Sequence, residues 1–297
     1  MPISGHVWAP SLTYSSFTNL ASIIFSCFNF VIMKFTLALA TALLCADAGL
    51  AAKLTAARQA RHAARRAAGT RRSSPKIPSE GVHAQELIAS GNESNVEYSS
   101  NWAGAVLIGS GYKTVTGTFT VPTPSGEGAA SAWVGIDGDT AQNSILQTGL
   151  DFYSENGAVS FDAWYEWYPD YAYDFSGIPF SVGDQVTVTV TATSTAAGTA
   201  VIQNLSTGKS VTHSFSGESN KLQELNAEWI VEDFEENGSL VEFANFGTVT
   251  FTNAVATTSS GTSVQAGSNP SILDIEQNNK VLTSVTASGS TVTVKYV

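Results

Sequence analysis

The last 201 residues of this 297-residue chain contain no cysteine, no arginine and a single histidine, His213. Without a thiol there is no cysteine nucleophile, no thiolate zinc site and no disulfide framework. One imidazole leaves little room for a Ser-His-Asp triad or a multi-histidine metal centre. Positive charge is nearly as scarce. Between residues 97 and 297, five lysines (Lys113, Lys209, Lys221, Lys280, Lys295) face 21 acidic residues, a net charge of about −16. Such a surface repels a phosphate backbone, which excludes nucleic acid as a partner. No metal and no cofactor is expected, so any chemistry falls to carboxylates, amides and hydroxyls.

The basic residues sit upstream instead. From Met33 the chain reads as a secretory signal: Lys34 is the n-region, Phe35–Leu44 the apolar h-region, and Ala46-Asp47-Ala48 a small-x-small cleavage site. The apolar run Leu20–Ile32 ahead of it falls short of the ~20 residues that span a bilayer. This favours a true start at Met33 over an anchor beginning near Leu20. Both cysteines, Cys27 and Cys45, would leave with this leader, residues 1–52. Lys53–Lys76 then carries eight Lys and Arg residues in an alanine-rich stretch with almost no apolar face. It reads either as a solvated, weakly helical linker or as part of a basic pro-segment, residues 53–96. Its charge complements the acidic body, which favours the second, with Arg71-Arg72 as a processing site. Sequons at Asn92, Asn204 and Asn237 suit secretion. The expected product is a secreted, extracellular monomer, free of the membrane after processing.

Residues 97–297 read as one all-β domain. Gln185–Thr193 alternates strictly, Val186, Val188 and Val190 against Thr187, Thr189 and Thr191, as a half-buried antiparallel strand does. About a dozen such runs are punctuated by turn pairs such as Asn156-Gly157 and Asn237-Gly238. They predict an antiparallel β-sandwich.

Three stretches could carry chemistry. Phe161–Phe175 (FDAWYEWYPDYAYDF) is the densest in aromatics and acids. Strand alternation puts Asp162, Trp164, Glu166 and Tyr168 on one face and Phe161, Ala163, Tyr165 and Trp167 on a core face. The first face suits a groove for an extended polymer, or simply a polar solvent face. Ala227–Glu236 (AEWIVEDFEE) crowds five acids, with Glu228, Ile230 and Glu232 on one side, close enough to raise each other's pKa values. In Ile145–Gly149 (ILQTG) a Gln interrupts an apolar strand, and residue type alone does not single it out.

Five blocks in order, SSNWAGAVL (99–107), AWVGIDGD (132–139), ILQTGLDF (145–152), DAWYEWYP (162–169) and NAEWIVEDFEE (226–236), resemble the glutamic peptidases, or eqolisins, secreted acid proteases of fungi. The resemblance covers about Ser99 to Val297. It implies a sandwich of two large, curved antiparallel sheets that hydrolyses polypeptides with a Gln/Glu dyad, which maps onto Gln147 and Glu232. It further implies that Trp102, Trp133, Asp137, Asp151, Trp164, Glu166 and Tyr168 line or support the cleft. Several relatives have a Cys beside the IDGD turn; here that place reads Asp139-Thr140-Ala141. In the implied mechanism Glu232 is a general base that keeps an ordinary pKa of about 4.3 and so stays partly ionised in acid. Gln147 donates to the oxyanion. The pro-segment is then expected to inhibit the body mainly by charge and to let go as the body's carboxylates protonate. Composition alone leaves a carbohydrate-active sandwich open, with Glu166 and Glu232 as its acid pair, or a non-catalytic surface protein.

Overall fold

The computed structural model describes residues 70–85 and 96–297. The signal-like stretch, both cysteines, the basic run 53–66 and Asn92 lie outside the described residues. Thirteen main strands follow one another: β1 Trp102–Ile108, β2 Tyr112–Thr120, β3 Gly128–Ile136, β4 Ile145–Glu155, β5 Ala158–Tyr168, β6 Gln185–Ser194, β7 Ala197–Asn204, β8 Lys209–Ser216, β9 Asn226–Glu232, β10 Thr248–Thr258, β11 Ser271–Gln277, β12 Thr283–Ser288 and β13 Thr291–Tyr296. β11 is the one long strand that the alternation pattern does not announce, because its apolar residues Ile272, Leu273 and Ile275 do not alternate. The described helix is a single turn at 82–85.

The strands form two large sheets, of eight and nine strands, as the sandwich expectation requires. One runs β8-β7-β6-β2-β10-β13-β12; the other runs β11-β1-β9-β3-β4-β5 with short strands at its margins. All the long pairings are antiparallel, whereas Val96–Ser99 joins β11 in parallel. The first sheet shows why the Thr/Val alternation works. Val186, Val188 and Val190 are fully buried between the sheets, each burial contributing about 1.5–3 kcal/mol. The intervening threonines meet β2 on the outer face, with Thr116–Thr189 and Thr118–Thr187 hydroxyl pairs at 2.8 Å. From the second sheet, Ala105, Trp229, Val134, Leu146, Leu150 and Trp167 enter the same core. That sheet's other face is therefore turned away from the core, and the candidate residues are on it.

The Asn204 sequon does not sit at the surface. Asn204 is fully buried and its Nδ2 donates to Pro179 O (3.1 Å) and Asp184 Oδ2 (2.8 Å), so the amide is already committed.

Two carboxyls at the margin of the second sheet link the fold to pH. Burial raises Asp233 to about 7, against a hydrogen bond from Gln277 (2.7 Å). Burial likewise raises Asp274 to about 6, against Thr283 Oγ1 (2.9 Å). An unfolded Asp titrates near 3.9, so the folded state holds these protons more tightly. The stabilisation is complete below about pH 4 and is lost as pH rises through about 6 to 7. Glu97 and Glu276 have the opposite sign. Burial works against their charge, but Lys76 and Ser271 for Glu97, and His83, Ala84 and Ser79 for Glu276, outweigh it and lower their pKa values. Their contribution disappears as pH falls below about 4.5. The melting temperature should therefore decline as pH rises from about 5 to about 8, and the double variant Asp233→Asn/Asp274→Asn should flatten that decline. Calorimetry at stepped pH reads both; an unchanged slope in the variant would contradict the assignment.

Candidate active site

Strand register assembles the site. In β3, β4 and β5, Gly135 stands opposite Gln147 and Gln147 opposite Glu166; Trp133 pairs with Gly149, and Gly149 with Trp164; Ser131 pairs with Asp151, and Asp151 with Asp162. On the other side of β3, β9 sets Glu232 opposite Ser131, and β1 sets Trp102 opposite Glu232. Side chains at every second position share a face, so five strands bring Trp102, Glu232, Trp133, Gln147, Asp151, Trp164 and Glu166 together. Gly149 makes the arrangement possible, since a Cβ there would lie 2.4 Å from Trp133 Cβ. Trp102 and Trp133 meet edge to face at 4.9 Å.

This face is covered by the chain's own residues 70–76. Arg71 and Arg72 pair with Glu236 and Glu235 as a short antiparallel ladder. Arg71 reaches inward: its guanidinium contacts Asp151 through Nε (2.9 Å) and Nη2 (2.7 Å), and Glu166 through Nη1 (3.4 Å). It also donates to Ser131 Oγ (3.2 Å) and lies over the rings of Trp164 (3.9 Å) and Phe234 (4.6 Å). Arg72 lies over Tyr171 and Tyr168. Next in the chain, the Ser73–Ser74 peptide bond crosses the two residues expected as a dyad. Gln147 Nε2 donates to Ser73 O (3.0 Å), and Ser74 N–H donates to Glu232 Oε1 (3.1 Å). Ser73 Oγ donates to Glu232 Oε2, which also accepts from Trp133 Nε1 (2.9 Å). Ser73 N–H is held by Glu166 Oε2 (3.0 Å) and Ser74 O by Trp102 Nε1 (3.0 Å). Lys76 then pairs with Asp139 and Glu97.

Electrostatically the site is a buried excess of acid. Asp151, Glu166 and Glu232 share one guanidinium, so protons must supply the remaining balance. Burial raises all three pKa values, Glu232 to about 8, and the pull of Arg71 offsets this only in part. Arg71 itself is pushed up, because Asp151, Glu166 and Glu232 outweigh its desolvation. The expected ordinary pKa for Glu232 is therefore corrected for the covered site: burial holds it protonated well above the acid range. Glu228, at the other end of the same face, is also raised, by burial and then by the nearby Asp137 and Asp139.

Of the residues expected to form, line or support the cleft, Trp102, Trp133, Asp151, Trp164, Glu166, Gln147 and Glu232 converge on the segment, and Tyr168 borders it beneath Arg72. Asp137 does not reach it. Its carboxylate accepts backbone N–H groups of Gln223, Glu224, Leu225 and Asn226 (2.6–3.3 Å), fixing the approach to β9. Residue-level reading missed Ser131, Phe234 and Asp139, none of which stands out by type. The Arg71-Arg72 processing site needs correcting. Arg71 is 9% exposed inside the cleft, beyond the reach of a second protease while the segment is in place. Charge is also only part of the hold, since backbone hydrogen bonds to Gln147, Glu166, Glu232 and Trp102 add to it.

The Peptidase A4 family profile matches residues 100–296. Aspergillopepsin-2 of Aspergillus niger is 54% identical over 289 residues, covering 89% of this chain and all of that protein. Scytalidopepsin B of Scytalidium lignicola is 46% identical over 279 residues, again 89% of this chain and all of the relative. The crystal structure of scytalido-glutamic peptidase with a transition state analog inhibitor superposes with a TM-score of 0.63 at 48% identity, over 67% of this chain and 98% of that one.

The contacts of Arg71 predict how the covered state opens. Removing one partner of a buried, hydrogen-bonded ion pair costs about 3–5 kcal/mol, because the other charge is left behind. Arg71→Gln in the full chain should therefore loosen the segment and admit water to Trp102, Trp133 and Trp164. The readout is a red-shifted tryptophan emission and stronger acrylamide quenching at neutral pH. Emission and quenching equal to those of the unaltered chain would show that Arg71 does not hold the segment down.

Proposed function

The chain belongs to the Peptidase A4 family, the glutamic peptidases, and is an acid endopeptidase; from that premise we propose that it cuts peptide bonds through Gln147 and Glu232, without metal or cofactor. Glu232 takes a proton from water as the water adds to the carbonyl carbon, and returns it to the leaving amine. Gln147 Nε2 donates to the oxyanion that develops on the carbonyl oxygen, an interaction worth about 2.7–4 kcal/mol. Trp102, Trp133, Asp151, Trp164, Glu166 and Tyr168 bind the polypeptide, while Asp137 holds the β9 approach in place. The observation that carries this reading is the Ser73–Ser74 bond, whose carbonyl oxygen meets Gln147 and whose N–H meets Glu232.

The same observation supports residues 53–96 as an inhibitory pro-segment and the remainder as the catalytic body. A secreted zymogen fits the signal-like residues 33–48, and residues 1–52 are the leader that secretion removes. The segment disables the site in two ways: it fills the cleft, and it keeps Glu232 buried, where the carboxyl's pKa is raised. Acidification weakens its outer anchors, because protonated Glu97 and Glu276 no longer hold Lys76 and the turn at 79–84. Once the segment leaves, water returns to Glu232 and draws its pKa down towards the ordinary range.

Glu232→Gln should lower turnover of a peptide substrate by about 10²–10⁴-fold, the range for loss of a general base. Gln147→Ala should lower it by about 10²–10³-fold, the range for an oxyanion donor. Both variants should keep the β-rich circular dichroism of the native enzyme. A folded variant with full activity would remove that residue from the dyad.

A further inference from the structure

On the reading that Gln147 and Glu232 do the chemistry, we propose that Ser73–Ser74 is a latent self-cleavage bond, kept uncut because the Ser73 hydroxyl stands where the hydrolytic water belongs. The bond is held as a substrate would be. Its carbonyl oxygen has the Gln147 donor at 3.0 Å, its N–H has Glu232 Oε1 at 3.1 Å, and Ser73 N and Ser74 O are pinned by Glu166 and Trp102. Geometry alone would make this a cleavage site.

Hydrolysis also needs an oxygen hydrogen-bonded to Glu232 and close to the carbonyl carbon. Ser73 Oγ is that oxygen. It donates to Glu232 Oε2 and accepts from Arg71 Nη1 (3.1 Å). It therefore takes the contact with Glu232 that the hydrolytic water needs, next to the Ser73 carbonyl. Yet it cannot react there, because attack on its own carbonyl would close a four-membered ring. Glu232 has no other side open to water: Trp133 Nε1 and Ser74 N–H take its remaining contacts. Gln147 Oε1, by contrast, is buried and accepts from no described residue, in keeping with a place reserved for a water proton.

Removing the hydroxyl leaves Glu232 Oε2 and Arg71 Nη1 without their shared partner, and these are the two contacts an entering water would take up. That water would rehydrate Glu232 and be positioned to attack. Its oxygen bonds to the Ser73 carbonyl carbon, and its proton passes to Glu232 and on to the Ser74 nitrogen as the C–N bond breaks. The products are a Ser73 carboxyl and a Ser74 amine, with one water consumed.

The test compares the full chain with its Ser73→Ala and Ser73→Thr variants between about pH 4 and pH 7, with each new N-terminus read by mass spectrometry. Ser73→Ala should gain an N-terminus at Ser74 at least about tenfold faster than the unaltered chain. Ser73→Thr, which keeps the oxygen, should not, and Ser73→Ala combined with Glu232→Gln should stay intact at that bond. In a second arm, activated enzyme receives the peptide Thr70–Lys76 with Ser or Ala at position 73. The Ser peptide should inhibit and survive; the Ala peptide should be cut between positions 73 and 74. This arm decides the matter even if the Ser73→Ala chain fails to fold. Equal cutting of Ala and Thr forms, or an intact Ala peptide beside rapid, Glu232-dependent hydrolysis of another substrate, would overturn the water-mimic and leave the dyad standing. Undiminished activity of a folded Glu232→Gln enzyme would instead overturn the dyad itself.

Discussion

Carboxylates cannot be buried together without either water or a counter-charge, and this constraint organises the molecule. One face of the second sheet carries Glu232, Asp151 and Glu166, all fully buried. An isolated buried carboxylate costs so much that it takes a proton or finds a cation. Here both occur. Arg71 enters between Asp151 and Glu166, and burial raises the pKa of the carboxyls, so that protons balance what one guanidinium cannot. The rest of the segment's path follows from that insertion. With Arg71 anchored on the aromatic floor of Trp164 and Phe234, the next two residues must cross Gln147 and Glu232, and Lys76 arrives beside Asp139.

The sandwich makes such a face possible. Its core side is filled by alanines, Trp229, Val134 and Leu150 packed against the Val186–Val190 row, which frees the other side of the same strands for polar residues. Register then does what sequence distance cannot. Gln147 and Glu232 are 85 positions apart in number, but β3 lies between their strands, and both side chains reach the same Ser73–Ser74 peptide. Gly149 removes the one Cβ that would block the Trp133 side chain. Among the described residues, no histidine meets Glu232 in this cleft. Its acid–base behaviour is set by how much water reaches Glu232.

Much of this was readable from the chain. The Thr/Val alternation of Gln185–Thr193 fixes which side faces the core, and the split of Phe161–Tyr168 into acidic and aromatic faces is found in the structure. The opposite charges of 53–76 and 97–297 already suggest that the two attract. Other features were not readable, for physical reasons. Gln147 lies in a strand buried on both faces, so a polar residue there looks like any satisfied amide; only the resemblance to the glutamic peptidases singled it out. Arg71-Arg72 has the composition of a processing site, yet the accessibility that such a site needs is set by tertiary contact with Asp151. Asn204 likewise fits a sequon while its amide serves Pro179 and Asp184. Nor does a sequence carry a pKa: the shift of Glu232 is burial working against Arg71, Ser73 and Ser74, residues more than 150 positions away.

The most direct test of this account is the titration of Glu232 with and without its cover. Infrared difference spectra between chains with Glu and Gln at 232 isolate the carboxyl band, recorded on the full chain and on the trimmed body. In the full chain the band should titrate near 8, where burial places it against the pull of Arg71 and the donors Ser73, Ser74 and Trp133. In the trimmed body, with water readmitted, it should return towards the ordinary carboxylate value of about 4.3. The same midpoint in both forms would contradict the claim that the segment governs the state of the catalytic carboxyl.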